Sequence, residues 1–83
     1  MLTSRGRAWA VVDKVSYKQF YITVRVEILG KNGFKILGSI RPVQDETLVV
    51  RSWLEISTFA SVNKAYEHGL QNCRAWIDEH VNL

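Results

Sequence analysis

Between residues 18 and 29 apolar and polar side chains alternate almost without fault, with Phe20, Ile22, Val24, Val26 and Ile28 on one side and Tyr21, Thr23, Arg25 and Glu27 on the other. A period of two predicts a strand with one buried face. The β-branched and aromatic residues in it support that assignment, because they pack well on a pleated surface and lose rotamer freedom in a helix. Gly30-Lys31-Asn32-Gly33 then reads as a turn. A two-residue Asn32-Gly33 loop would set Ile28 opposite Leu37 and Val24 opposite Arg41, mixing core with solvent positions. A three-residue loop, Lys31-Asn32-Gly33, sets Ile28 by Ile36, Val26 by Gly38 and Val24 by Ile40, so the apolar faces coincide and Gly33 takes the left-handed position. A five-residue loop keeps the same parity, and loop length stays open.

A third strand is expected from about Phe34 to Arg41, stopped by Pro42, which has no amide hydrogen for a ladder. Val43 to Glu46 form the next connection. Alternation returns from Thr47 to Ile56, and this predicts a fourth strand with Leu48, Val50, Leu54 and Ile56 facing inward and Val49, Arg51, Trp53 and Glu55 outward, with a bend near Ser52. Residues 7 to 15 make a first strand whose inward set is either Ala8, Ala10 and Val12 or Trp9 and Val11.

The period then changes. Val62, Ala65, Tyr66, Gly69, Leu70, Cys73, Trp76, Ile77 and His80 recur every three or four residues, which predicts an amphipathic helix over roughly 61 to 80. Ser61 or Thr58 can accept from its first free amides. Gly69 within the apolar stripe costs up to about 1 kcal/mol against Ala, so close approach of helix to sheet is expected there. The fold class that follows is α+β: a four-stranded, or at least three-stranded, antiparallel meander packed by one C-terminal amphipathic helix, with residues 1–83 as a single domain.

Composition agrees with that picture. With 83 residues, 47% of them hydrophobic and 23% charged, the chain has ordinary globular usage. Cys73 is its only cysteine, which excludes a disulfide-built secreted scaffold. The first ten residues carry two arginines without the apolar stretch of a signal peptide, and no apolar run approaches the roughly 20 residues that span a bilayer. A cytoplasmic location without membrane contact is the expectation. The net charge of +3 divides unevenly: residues 1 to 60 carry +4 and residues 61 to 83 carry −1. A partner drawn by positive charge would meet the sheet or the N-terminal arm.

Few residues suggest reaction chemistry. Cys73 and His80 lie about 20° apart around a helix, close enough for a nucleophilic pair, but Cys73 sits in the core stripe and His80 at the end, where it can face the last carbonyls. His68, Cys73 and His80 do not converge as metal ligands. Asp78 and Glu79 are neighbours and cannot face each other. Gly30, Gly33 and Gly38 belong to hairpins and precede no helix, so no phosphate loop is present. No enzymatic activity, cofactor, metal or small-molecule site is expected.

The outer sheet face is the remaining candidate. Its predicted binding set is Tyr21, Arg25, Lys35, Leu37, Arg41, Val49, Arg51 and Trp53, flanked by Thr23 and Ser39, with Arg5, Arg7 and Lys18 extending the positive track. Four cations among two aromatics could hold the phosphates and stack the bases of single-stranded nucleic acid. Glu27 and Glu55, predicted on the same face, oppose that. An apolar strip of Trp53, Val49, Leu37 and Tyr21 favours a protein partner, including a second copy of the chain.

Phe59-Ala60-Ser61 followed by Ala65-Tyr66, Gly69-Leu70, Cys73-Arg74 and Trp76-Ile77-Asp78 resembles the closing helix of small uncharacterised bacterial proteins that place such a helix after a short antiparallel sheet. The likeness covers about 20 residues, nearly all at packing positions, and implies the fold without an activity. The order of strands then helix is similar in outline to the single-strand-binding transcriptional coactivator family, a topological likeness that carries over no residue. The expected function is a non-enzymatic macromolecule-binding protein that uses the outer sheet face or an edge strand for protein–protein interaction or self-association. Single-stranded nucleic-acid binding through the basic and aromatic face is the alternative.

Overall fold

The computed structural model describes residues 9–80. Four strands and one helix follow in chain order: β1 (Trp9–Tyr17), β2 (Phe20–Gly30), β3 (Gly33–Pro42), β4 (Arg51–Thr58) and α1 (Val62–His80). The strands form one antiparallel sheet in the order β1-β2-β3-β4, so each pairs with its neighbour in sequence and β1 and β4 are the edges. The helix crosses one face, principally over β3 and β2. The α+β meander expected from the alternation is the architecture observed.

The central hairpin keeps the predicted parity in a different register. Ile28 pairs with Phe34, Val26 with Ile36, Val24 with Gly38 and Ile22 with Ile40, two residues away from the expected partners. The cause lies at the turn. Gly30 pairs with Gly33 around Lys31-Asn32, and a register shift between Ile28 and Gly30 absorbs one extra residue, Leu29. This bulge returns the odd offset of a two-residue turn to the even offset that apolar matching demands. The left-handed positions are Gly30 (φ 142) and Asn32 (φ 58), not Gly33.

The first hairpin turns through Lys18 and Gln19, both at positive φ (47 and 69), the conformation of a tight two-residue turn whose twist matches the strands. Pairing of Lys14 with Thr23 and Asp13 with Val24 sets Asp13, Val15 and Tyr17 on the helix side and Val12, Lys14 and Ser16 on the other. Val12 therefore points outward, against the first of the two inward sets expected for this strand. Residue Ala8 of that set, with Arg5 and Arg7, lies outside the described residues.

The core consists of Ile22, Val24 and Val26 from β2, Phe34, Ile36 and Ile40 from β3, and Ala65, Cys73 and Ile77 from α1. Each large aliphatic buried here contributes on the order of 1.5–3 kcal/mol. Gly69 lets the helix descend: a Cβ there would lie 2.9 Å from both Ile36 Cγ2 and Val24 Cγ1. Ser61 caps the helix, with the Lys64 amide donating to its Oγ at 3.2 Å. Crossed tethers bind α1 to the first hairpin. Tyr17 donates to Asp78 at 2.9 Å, Tyr66 donates to Asp13 at 3.0 Å, and Lys18 pairs with Asp78 at 2.8 Å.

Candidate functional site

The sheet face opposite the helix carries no second layer of described strand or helix, although the connection after β3 reaches its margin, where Glu46 meets Lys14, and its side chains form rows across the strands. Ser16, Tyr21 and Arg41 make one row; Lys14, Thr23, Ser39 and Ser52 the next; Val12, Arg25, Leu37 and Leu54 the third; Glu27, Lys35 and Ile56 the fourth. The third row is mainly aliphatic, with Val12 and Leu54 each 56% exposed, and Ile56 beside it is 62% exposed. Thr23, Arg25, Leu37, Ser39, Arg41 and Leu54 line a shallow depression of about 400 Å³ in the middle.

The structure brings Tyr21, Arg25, Lys35, Leu37 and Arg41 of the predicted set together on this face and removes the other three. Trp53 pairs with Gly38 and Arg51 with Ile40, both helix-facing positions, so these two side chains and that of Glu55 point toward α1. Val49 lies in the connection before β4. Leu54 and Ile56, predicted inward, face out. The inversion has a packing cause. Gly38 leaves a hollow that only a large side chain fills, and a Cβ on it would lie 2.6 Å from Trp53 Cε2. The indole spans from there to within 3.7 Å of a Cβ position at Gly69. Aliphatic content points to the wrong buried side of β4; the informative signal is a pair of glycines facing one tryptophan.

Charges on the outer face are partly neutralised. Lys35 Nζ lies 3.3 Å from Glu27 Oε1, and Lys14 Nζ lies 3.0 Å from Glu46 and 4.5 Å from the centre of the Tyr21 ring. Arg41 donates to Ser39 Oγ at 3.0 Å. The inversion of β4 also removes one aromatic from the face and adds two aliphatics, so the surface is more apolar than its sequence suggested.

On the helix side of β4, Arg51, Trp53, Glu55, Asn72, Trp76 and Glu79 border a groove of about 450 Å³. Glu55 lies 2.9 Å from His68 Nε2, whose ring packs 5.0 Å from that of Phe59. Cys73 is fully buried, and burial pushes its thiol up despite a bond from the Trp53 side chain that favours the thiolate. His80 is at the helix end, stacked on Trp76 with Nδ1 2.8 Å from the Trp76 carbonyl oxygen, so it forms no pair with Cys73. Among the described residues no three His, Cys, Asp or Glu side chains cluster to hold a metal, and no helix is long and apolar enough to cross a membrane.

Comparison of the chain with protein-family models, curated proteins and solved structures yields no match.

Proposed function

We propose that this chain is a non-enzymatic macromolecule-binding module whose outer sheet face docks a protein partner. The observation that carries this reading is the row Val12, Arg25, Leu37 and Leu54 with Ile56 beside it, an uncovered apolar band rimmed by polar and charged side chains. Contiguous exposed apolar surface with a polar rim is characteristic of protein interfaces. The sheet face offers about 500 Å² in projection, from four strands at about 4.8 Å and eight residues at about 3.3 Å. Protruding side chains raise its accessible area toward the roughly 800 Å² per partner of a standard interface.

Single-stranded nucleic acid is the second reading, carried by Arg25 and Arg41 beside Tyr21. Lys14 and Lys35 on this face lie against carboxylates, which favours protein over phosphate. Immobilised wild-type protein and the Val12→Lys/Leu37→Lys variant, exposed to the same extract, separate the cases: proteins retained by the wild type and lost by the variant support docking on this face. Identical retention by both would overturn it. A labelled single-stranded oligonucleotide that binds in low salt, weakens steeply at physiological ionic strength and is lost on Arg25→Ala/Arg41→Ala substitution would transfer the function to nucleic acid.

A further inference from the structure

The two sheet edges are unequal. β1 carries a register shift between Trp9 and Val11, the kind of irregularity that twists an edge away from further pairing. β4 pairs with β3 without interruption from Arg51 to Thr58, contains neither proline nor glycine, and exposes Leu54 and Ile56. No described strand pairs with its free side. Unpaired backbone groups along an uninterrupted edge with exposed aliphatics are a template for another strand.

We infer that this edge pairs with β4 of a second copy of the chain, antiparallel about a two-fold axis at Trp53, giving one continuous eight-stranded sheet with both helices on the same side. The register follows from charge. When both helices lie on one side, residues directly opposite each other must share a face, so the axis passes through a residue and not between two. An axis at Trp53 sets Arg51 opposite Glu55 of the partner subunit, and the symmetry makes that pair twice. An axis at Leu54 sets Trp53 against the carboxylate of Glu55, and one at Glu55 sets two carboxylates face to face. Opposite charges directly across an antiparallel pair stabilise it and like charges oppose it. Only the first register sets both ionic side chains of the strand against an opposite charge across the seam. On the outer face the same axis brings Leu54 of each copy opposite Ser52 of the other, with the two leucines diagonal neighbours, so the exposed aliphatic band runs on across the seam.

This inference rests on the reading of the chain as a protein-binding module and names a partner for its edge; the outer face and the edge are tested by different substitutions. Light scattering coupled to gel filtration should give twice the 9.6 kDa chain mass for the wild type. Arg51→Glu and Glu55→Arg each place like charges across the seam and should shift the mass to the monomer, and the combined Arg51→Glu/Glu55→Arg chain should return to the dimer. Circular dichroism of each variant checks that the fold persists, and the return in the combined chain rules out damage to the fold as the cause of the loss. A wild-type monomer at millimolar concentration would overturn edge pairing while leaving outer-face docking intact. A dimer that survives both single reversals but not Val12→Lys/Leu37→Lys would overturn the edge assignment and place the contact on the outer face.

Discussion

Gly38→Ala tests the orientation of β4 directly. The added methyl would sit 2.6 Å from Trp53 Cε2, 2.7 Å from Nε1 and 2.8 Å from Cζ2, all well inside van der Waals contact. The ring cannot retreat cheaply, because its far edge reaches toward Gly69 and the helix. Overpacking of this kind costs about 1–3 kcal/mol. Loss of glycine's freedom in the unfolded chain offsets about 0.4–1 kcal/mol of that. The net expectation is a destabilisation of up to about 2.5 kcal/mol, centred on about 1.3 kcal/mol, or a fall in Tm of several degrees at about 4–8 °C per kcal/mol for a domain of this size. In a Trp53→Ala background the obstacle is gone, and Gly38→Ala should be neutral or stabilising by up to about 1 kcal/mol. Urea denaturation followed by circular dichroism, which does not depend on tryptophan emission, gives the four stabilities of the cycle. A coupling of about 1 kcal/mol or more is expected for residues in contact. Equal costs of Gly38→Ala in both backgrounds would show that the indole does not lie on Gly38, and the outer face would have to be redrawn with Trp53 and Arg51 on it.

Three further outcomes follow from local chemistry. The Cys73 thiol, buried and with its pKa pushed up by burial, should react with a disulfide reagent at pH 8 at least a hundredfold more slowly in native protein than in denaturant; comparable rates would contradict its burial. The Lys18 and Tyr17 bonds hold the Asp78 carboxyl below its ordinary value of 3.8, so their stabilisation is complete above that pH and is lost as pH falls through the lowered value; Asp78→Asn should flatten the acid limb of a Tm-against-pH curve. Gln19→Gly should raise stability by about 0.5–1 kcal/mol in thermal melts, since glycine occupies a positive φ without the side-chain clash, and a destabilisation would contradict the turn geometry.

What could be read from the chain in advance was whatever its periodicity over-determines. β2 has five apolar residues on one side and four polar or amphipathic ones on the other, so a slip of one residue would expose every core side chain. The α1 stripe leaves no rotation about its axis that buries another face, and Ser61 and Gly69 marked its start and its closest approach to the sheet. β4 was not determined in this way. Leu54 and Ile56 compete with Trp53 for the buried side of one strand, and hydrophobicity alone favours the two aliphatics. The decision comes from residues distant in sequence: Gly38 supplies the hollow, Gly69 the headroom and His68 a partner for Glu55. The β2–β3 turn was hidden for a related reason. Apolar matching fixes only whether the offset is odd or even, and a bulge at Leu29 can correct the parity of any loop.

The orientation of β4 ties the interior to the surface. Because Trp53 fills the space above two glycines, its neighbours Leu54 and Ile56 must face outward, on the face that carries no second layer of described strand or helix. The same turn of the strand puts Arg51 and Glu55 on the helix side, flanking the indole at the sheet margin. A strand oriented by hydrophobic content alone would have buried its aliphatics and left its aromatic and its cation for nucleic acid. Oriented by the glycines, β4 presents an aliphatic surface next to an unpaired edge, with opposite charges at positions that antiparallel pairing can satisfy. The protein association proposed above therefore draws its support from the packing of the core as much as from the composition of the surface.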